Sequence, residues 1–122
     1  MATDESSERE MRDGTLSVRV RADGAKWTLT LAGELDRANA ATLAAELERA
    51  EAEGAGSIVI DMRALQFIDS SGIAVLVAAH RRLNDGAERI QVVKSEAIEV
   101  QRVMDVTGLA RELPLASAEE GD

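Results

Sequence analysis

Two adjacent serines, Ser70 and Ser71, are the residues of this chain best placed to do chemistry. They lie in the segment Asp69-Ser70-Ser71-Gly72, which follows an apolar run and leads directly into a helical pattern. The first backbone N–H groups of a helix have no intrahelical partner, and the helix dipole favours negative charge there. We therefore predict that a phosphate group is read or written at these hydroxyls, and that the protein is switched at this point.

A serine at the start of a helix also has a purely structural interpretation. A side-chain oxygen that caps a helix stabilises it by about 1 kcal/mol, and either Ser70 or Ser71 is in position to do so. A cap needs only one hydroxyl, so the second one favours a functional site. Gly72 adds to this, because it has no side chain that would keep a partner away. The sequence leaves both interpretations open.

A catalytic serine is a third interpretation. The nucleophile elbow of hydrolases has the pattern Gly-x-Ser-x-Gly, with an acid and a histidine placed later in the chain. Here Ile68 and Asp69 stand two residues before the serines, and the single histidine, His80, lies along the same predicted helix as Ser71. We expect His80 to pack its ring at the flank of the core, out of reach as a base. The sequence therefore does not predict an enzyme, and absence of labelling of Ser71 by a fluorophosphonate probe would exclude a serine nucleophile.

Three carboxylates near predicted strand–helix junctions, those of Asp36, Asp61 and Asp69, are the remaining candidates for chemistry. Oxygen ligands of this kind suit Mg²⁺, and a phosphoacceptor aspartate would need an acid pair after the first strand. That region offers only Asp23, in a predicted hairpin turn. We expect Asp36 to cap a helix and Asp61 to end a strand, and we predict no metal and no cofactor. The chain has no cysteine, which excludes disulfides and thiolate ligands.

The elements that position these residues follow from hydrophobic periodicity. Alternating or continuous apolar residues predict four strands, which cover residues 16–21, 27–31, 57–61 and 89–93. Apolar residues three and four positions apart predict three helices, which cover residues 35–53, 72–83 and 96–106. A last short strand would end at Leu113. The order predicts one α/β domain with a mixed sheet of four to five strands packed against helices.

Charge and hydropathy suggest the domain boundaries and the class of partner. The formal charge is −9, and residues 1–14 and 114–122 each contribute −3 without apolar periodicity. We predict that both are disordered acidic tails on a domain of residues 15–113. A basic stripe is absent, which argues against nucleic acid. No apolar run reaches the roughly 20 residues of a membrane span, so we expect a cytoplasmic protein without a membrane anchor. We also expect a monomer, because no large exposed apolar patch is evident.

The chain resembles STAS domains, and within them the stand-alone anti-sigma factor antagonists of bacterial partner-switching systems. Three blocks carry the resemblance, and they are LAGELD at 31–36, LQFIDSSG at 65–72 within the region 58–76, and VQRVMDVTGL at 100–109. In this order and spacing they span nearly all of residues 16–113. The resemblance implies the same α/β fold.

The resemblance also implies a mechanism. In the family, an anti-sigma factor that is itself an ATP-dependent serine kinase phosphorylates the second serine of the block, which is Ser71 here. The unphosphorylated antagonist binds the anti-sigma factor, the phosphorylated form is released, and a serine phosphatase resets it. The implied partner-binding residues are Asp36, Asp69, Ser70, Ser71 and Gly72, with Asp69 holding the serine segment and Ser70 supporting it. The alternative is a STAS subunit or regulator that binds a different partner, such as the ATPase of a transporter.

Overall fold

The order of strands and helices in the computed structural model confirms the predicted α/β class. The model describes residues 6–83, 89–106 and 115–116. Its elements, in chain order, are β1 Ser6–Asp13, β2 Leu16–Asp23, β3 Lys26–Leu35, α1 Ala40–Ala52, β4 Ser57–Ile68, α2 Ser70–Leu83, β5 Ile90–Val93, α3 Ile98–Val106 and β6 Leu115–Ala116. The strands form one mixed sheet in the order β1-β2-β3-β4-β5-β6. Strands β1 to β3 are antiparallel, and β3 to β6 are parallel.

The prediction of a disordered tail over residues 1–14 is wrong for residues 6–13, because these form β1. On one side of β1, Glu8 and Glu10 lie opposite Arg21 and Arg19 of β2. Opposite charges facing each other across an antiparallel pair stabilise it. The charges that we attributed to solvation of a tail are therefore balanced within the sheet.

The other side of β1 faces the first helix. Arg9 forms an ion pair with the buried Glu46 of α1, and Met11 packs against the core. The hydroxyl of Thr42 donates a hydrogen bond to Asp13 Oδ2 at 2.6 Å. Alternation of outward charges and inward contacts is the pattern of a strand. The net charge of the segment does not reveal this alternation.

The C-terminal boundary also differs from the prediction. The last strand, Leu115–Ala116, begins just after residue 113, where we expected it to end, and pairs in parallel with β5. The rest of the predicted tail, 114 and 117–122, and the end of the third sequence block, 107–109, lie outside the described residues. Strands β1 and β6 together explain why the sheet has six strands.

Strand β4 is longer than predicted. Residues 57–61 and the apolar run 65–68, which we expected to be separate, belong to one strand of 12 residues. Its pairing with β3 has two register shifts, each with one extra residue in β4, and the strands remain paired as far as Leu35 and Ile68. At one of them Gly33 has a φ of +93°, and a Cβ there would collide with a backbone oxygen of the β1–β2 turn. Only glycine fits this close approach.

The core between the sheet and the helices is aliphatic apart from Trp27, as expected from the low aromatic content. Its fully buried side chains include Leu29, Leu31, Leu43, Leu47, Ile60 and Leu76. No helix in the described part of the chain is long and apolar enough to cross a membrane.

Candidate functional site

The candidate site lies where β3 and β4 end side by side. Leu35 and Ile68 are register partners at the carboxyl ends of these parallel strands, and the backbone N–H of Asp69 donates to the carbonyl of Leu35 at 3.1 Å. The turn that follows β3 therefore meets the start of α2. Two sequence blocks separated by 28 residues, 31–36 and 65–72, are brought together here. Carboxyl ends of parallel strands are the usual location of binding sites in open α/β sheets.

Asp69 organises this junction. Its Oδ1 accepts hydrogen bonds from the backbone N–H groups of Ser71 at 2.9 Å and Gly72 at 3.2 Å, which caps α2. Its Oδ2 accepts from the backbone N–H of Arg37 at 3.1 Å. One carboxylate thus fixes both the start of α2 and the turn after β3. The alternatives left open by the sequence are now separated, because the helix cap is Asp69 and neither serine.

The two serine hydroxyls do not cap the helix. Ser70 is exposed and Ser71 is half-buried, and neither hydroxyl has a hydrogen-bond partner among the described residues. One part of our expectation is wrong, however. The N–H groups of Ser71 and Gly72 are not free for an external phosphate, because Asp69 already accepts from both of them. The N–H of Ile73 donates to the carbonyl of Asp69 at 3.1 Å.

The missing side chain of Gly72 allows close packing within the core. Gly72 is buried, and a Cβ at this position would lie 2.6 Å from Leu35 Cγ and 3.0 Å from Ile68 Cγ1. The absent side chain lets α2 pack closely on the ends of β3 and β4. We expected a partner to approach Gly72, whereas the close approach is made by Leu35 of the same chain.

Asp36 does not cap a helix as predicted, because β3 runs to Leu35 and α1 begins only at Ala40. Instead, Asp36 Oδ1 accepts from the N–H of Ala38 at 3.0 Å, while the N–H of Asp36 donates to Asn39 Oδ1 at 2.9 Å. Asn39 is buried and precedes α1 without a side-chain cap bond. Asp36 therefore shapes the turn that carries Arg37. Sequence reasoning missed Asn39, although the spacing Asp-x-x-Asn was available as a signal of a turn.

The ends of β3 and β4, from which the chain continues into the serine segment, carry one large exposed apolar side chain and several charges. Phe67 is 43% exposed and lies opposite Glu34 in the β3–β4 register. Carboxylates of Asp36 and Asp69 and the exposed side chain of Arg37 complete the neighbourhood. Phe67 and Arg37 are site residues that sequence reasoning did not single out. Exposure of one of only two aromatic residues in the chain marks this surface as a candidate for protein contact.

Asp61, the third candidate carboxylate, lies elsewhere. It is buried inside β4 and does not end the strand. Burial raises the pKa of Asp61, but the hydrogen bonds and the charge of Arg63 outweigh this, so that the pKa lies below its ordinary value of 3.8. Arg63 Nη2 is 2.7 Å from Asp61 Oδ2. Among residues 6–83, 89–106 and 115–116, no three His, Cys, Asp or Glu side chains are grouped so as to hold a metal ion.

The same fold occurs in three solved structures of anti-sigma factor antagonists. One from Mycobacterium paratuberculosis is 23% identical, with a TM-score of 0.69 over 98% of this chain and 93% of that chain. SpoIIAA in its unphosphorylated form is 22% identical, with a TM-score of 0.65 over 92% of this chain and 88% of that chain. The Bacillus cell fate determinant SpoIIAA in its phosphorylated form is 21% identical, with a TM-score of 0.59 over 92% and 91%.

At these identities the likeness concerns the fold. Family membership has separate support, because the family model described as "Mlab, STAS domain" matches residues 18–116. The match includes the β3–α1 turn, Asp69 and both serines. This chain belongs to the STAS domain family.

Proposed function

We propose that the protein is an anti-sigma factor antagonist that is switched by phosphorylation of Ser71. The observation that carries this proposal is the contrast between Asp69 and Ser71. Asp69 makes the hydrogen bonds that hold the segment, and the Ser71 hydroxyl makes none within the described residues. Ser71 can therefore be modified without breaking a bond on which the segment depends. Solved structures of SpoIIAA in unphosphorylated and phosphorylated forms support the assignment.

In the unmodified state, the site binds the anti-sigma factor. Phe67 supplies exposed apolar area, and Asp36 and Asp69 supply negative charge beside the serines. Such a surface suits a partner that presents an apolar recess with basic groups around it. Ser70 and Ser71 then lie in the contact as neutral hydroxyls. Gly72 contributes from below, by allowing α2 to approach the sheet.

In the switching step, the anti-sigma factor acts as the kinase. It transfers the γ-phosphoryl group of ATP to Ser71 Oγ, which loses its proton, and ADP leaves. The phosphate adds about −1.5 to −2 charges at pH 7 to a surface that already holds the carboxylates of Glu34, Asp36 and Asp69. The phosphate is bulkier than the hydroxyl and must lose its hydration in the contact, where a partner matched to a neutral hydroxyl has no cation placed to pair with it, so the complex dissociates. A serine phosphatase hydrolyses the phosphoserine and restores the binding form. In this scheme the antagonist is a cytoplasmic regulator and catalyses nothing itself.

The test is peptide mass spectrometry of the protein purified from its own cells, growing and stressed. We expect one phosphoryl group on Ser71, with an occupancy that changes with condition. Ser71→Ala should abolish it, and the neighbouring Ser70→Ala is the matched control that should not. A chain that is unmodified in every condition and still holds a stable partner would contradict the proposal. That result would favour a constitutive STAS subunit, for example one bound to a transporter ATPase.

A further inference from the structure

A phosphate on Ser71 would enter surroundings that offer it little compensation from the helix. The N–H groups of Ser71 and Gly72 already donate to Asp69 Oδ1. The same carboxylate, together with the neighbouring Asp36, would repel a phosphate dianion. The usual mode of anion binding at a helix start, through free N–H groups, is therefore restricted here. A cationic side chain is the stronger source of stabilisation for the phosphorylated form.

Arg37 is the cation that the fold brings to this place. Its backbone N–H donates to Oδ2 of Asp69 at 3.1 Å, and the backbone N–H of Ser71 donates to Oδ1 of the same carboxylate at 2.9 Å. Arg37 and Ser71 therefore flank a single carboxylate group. The two residues are far apart in sequence, and Asp69 makes them neighbours in space.

The side chain of Arg37 is available for a new contact. It is exposed, and it has no ion-pair partner within the described ranges, since its one hydrogen bond there uses the backbone N–H. Two other arginines, Arg9 and Arg82, already have ion-pair partners. Arg9 pairs with Glu46, and Arg82 pairs with Glu51 at 2.5 Å.

We infer that the guanidinium of Arg37 binds the phosphate of phosphorylated Ser71 within the same molecule. The planar fork of a guanidinium matches two phosphate oxygens, and its charge offsets the repulsion from Asp36 and Asp69. The contact would hold the phosphate against the start of α2 and fix its orientation for the phosphatase. The inference rests on the proposed function for its physiological role, because it concerns the modified form of the same serine.

The experiment is a ³¹P NMR titration of full-length protein with phosphoserine incorporated genetically at position 71. The carboxylates at the ends of β3 and β4, those of Glu34, Asp36 and Asp69, favour the monoanion of the phosphoserine, and Arg37 favours its dianion. We expect Arg37→Ala to raise the second pKa of the phosphate by roughly half a unit to one unit. The phosphate pKa of Arg37→Lys should lie between those of the parent and Arg37→Ala, because lysine keeps the positive charge but lacks the planar pair of donors of a guanidinium. High salt should shrink the difference.

The matched control is Arg21→Ala. Arg21 is also exposed, and it pairs in register with Thr28 near the opposite end of the sheet, so removing it should leave the phosphate pKa unchanged. Equal phosphate pKa values in the parent and in Arg37→Ala would overturn the inference. We expect Arg37→Ala to fold, since alanine keeps the backbone N–H that donates to Asp69. Arg37→Lys provides a second test.

The two proposals can fail separately. Phosphoserine is installed without a kinase, so an unchanged phosphate pKa in Arg37→Ala would refute the Arg37 contact and leave the proposed switch intact. Conversely, a shifted pKa in a protein whose Ser71 is never phosphorylated in cells would support the contact and refute the switch.

Discussion

The β1 strand and the β3–α2 junction are both rich in acidic residues, and they use them in opposite ways. In β1, carboxylates bind other side chains, as when Ser17 and Arg19 contact Glu10. At the junction, the carboxylates of Asp36 and Asp69 bind backbone N–H groups. In β1, each contact engages the side chains of both residues, which are then less available for another partner. The arrangement at the junction fixes the backbone and leaves neighbouring side chains, including the Ser71 hydroxyl, free to react or bind.

The largest effect expected from this contrast follows removal of the Asp69 carboxylate. Asp69→Ala leaves three backbone N–H groups without their acceptor, and we expect it to lower the free energy of unfolding by about 2–3 kcal/mol. Urea denaturation measures this. Asp69→Asn is the control, since it keeps one carbonyl acceptor and should lose less. A loss below about 0.5 kcal/mol in Asp69→Ala would mean that the junction is held by something else.

A smaller loss is expected in β1. Arg9→Ala would leave the buried carboxylate of Glu46 without its ion-pair partner, and we expect a cost of about 1–2 kcal/mol. In the background of Glu46→Gln the same substitution should cost less, because no buried charge is left behind. Additive effects in this double-mutant cycle would show that the two residues do not interact.

The pKa of Glu10 tests whether the carboxylates of β1 are bound by side chains. The hydrogen bond from Ser17, at 2.7 Å, and the nearby charges of Arg12 and Arg19 lower the pKa of Glu10 from its ordinary value of 4.5. A carboxyl with a lowered folded-state pKa favours folding above that ordinary value and loses this contribution as the pH falls through the folded pKa. NMR titration of Ser17→Ala should show the pKa moving back toward 4.5. An unchanged value would leave the arginines as its cause.

The smallest effect is expected at the serines. Ser70→Ala and Ser71→Ala should each change the free energy of unfolding by less than about 0.5 kcal/mol, because neither hydroxyl is bonded within the described residues. Thermal unfolding checks this. A larger loss in Ser71→Ala would give its hydroxyl a structural role and weaken the contrast with β1.

Hydrophobic periodicity predicted the α/β class, the strands β2, β3 and β5 and the positions of the helices, because these depend on which residues are buried. It failed for β1, whose charged side chains pair mainly with side chains of β2 and α1. It also failed for the length of β4, which has one extra residue at each of two bulges and so stays paired with β3. Pairing between two elements depends on both segments, so the sequence pattern of one segment does not predict it.

The candidate site was predicted only in part, because some of its contacts also join separate segments. The sequence identified Ser71 and Asp69 as a unit, since they are only two positions apart. It could not show that Asp69 also bonds to the backbone of Arg37, because that contact depends on β3 and β4 ending side by side. Asp36 was given the wrong role, because β3 continues further than its apolar pattern suggested.

The most direct test of the switch is the affinity of three forms of the full chain for the anti-sigma factor kinase that we propose as its partner. The forms are unmodified protein, protein with phosphoserine at 71, and protein with phosphoserine at 70, compared by isothermal titration calorimetry. We predict that phosphate at 71 weakens binding by roughly 2 kcal/mol or more, about 30-fold, and that phosphate at the exposed Ser70 weakens it less. Equal affinities of the unmodified form and the form phosphorylated at Ser71 would contradict the account.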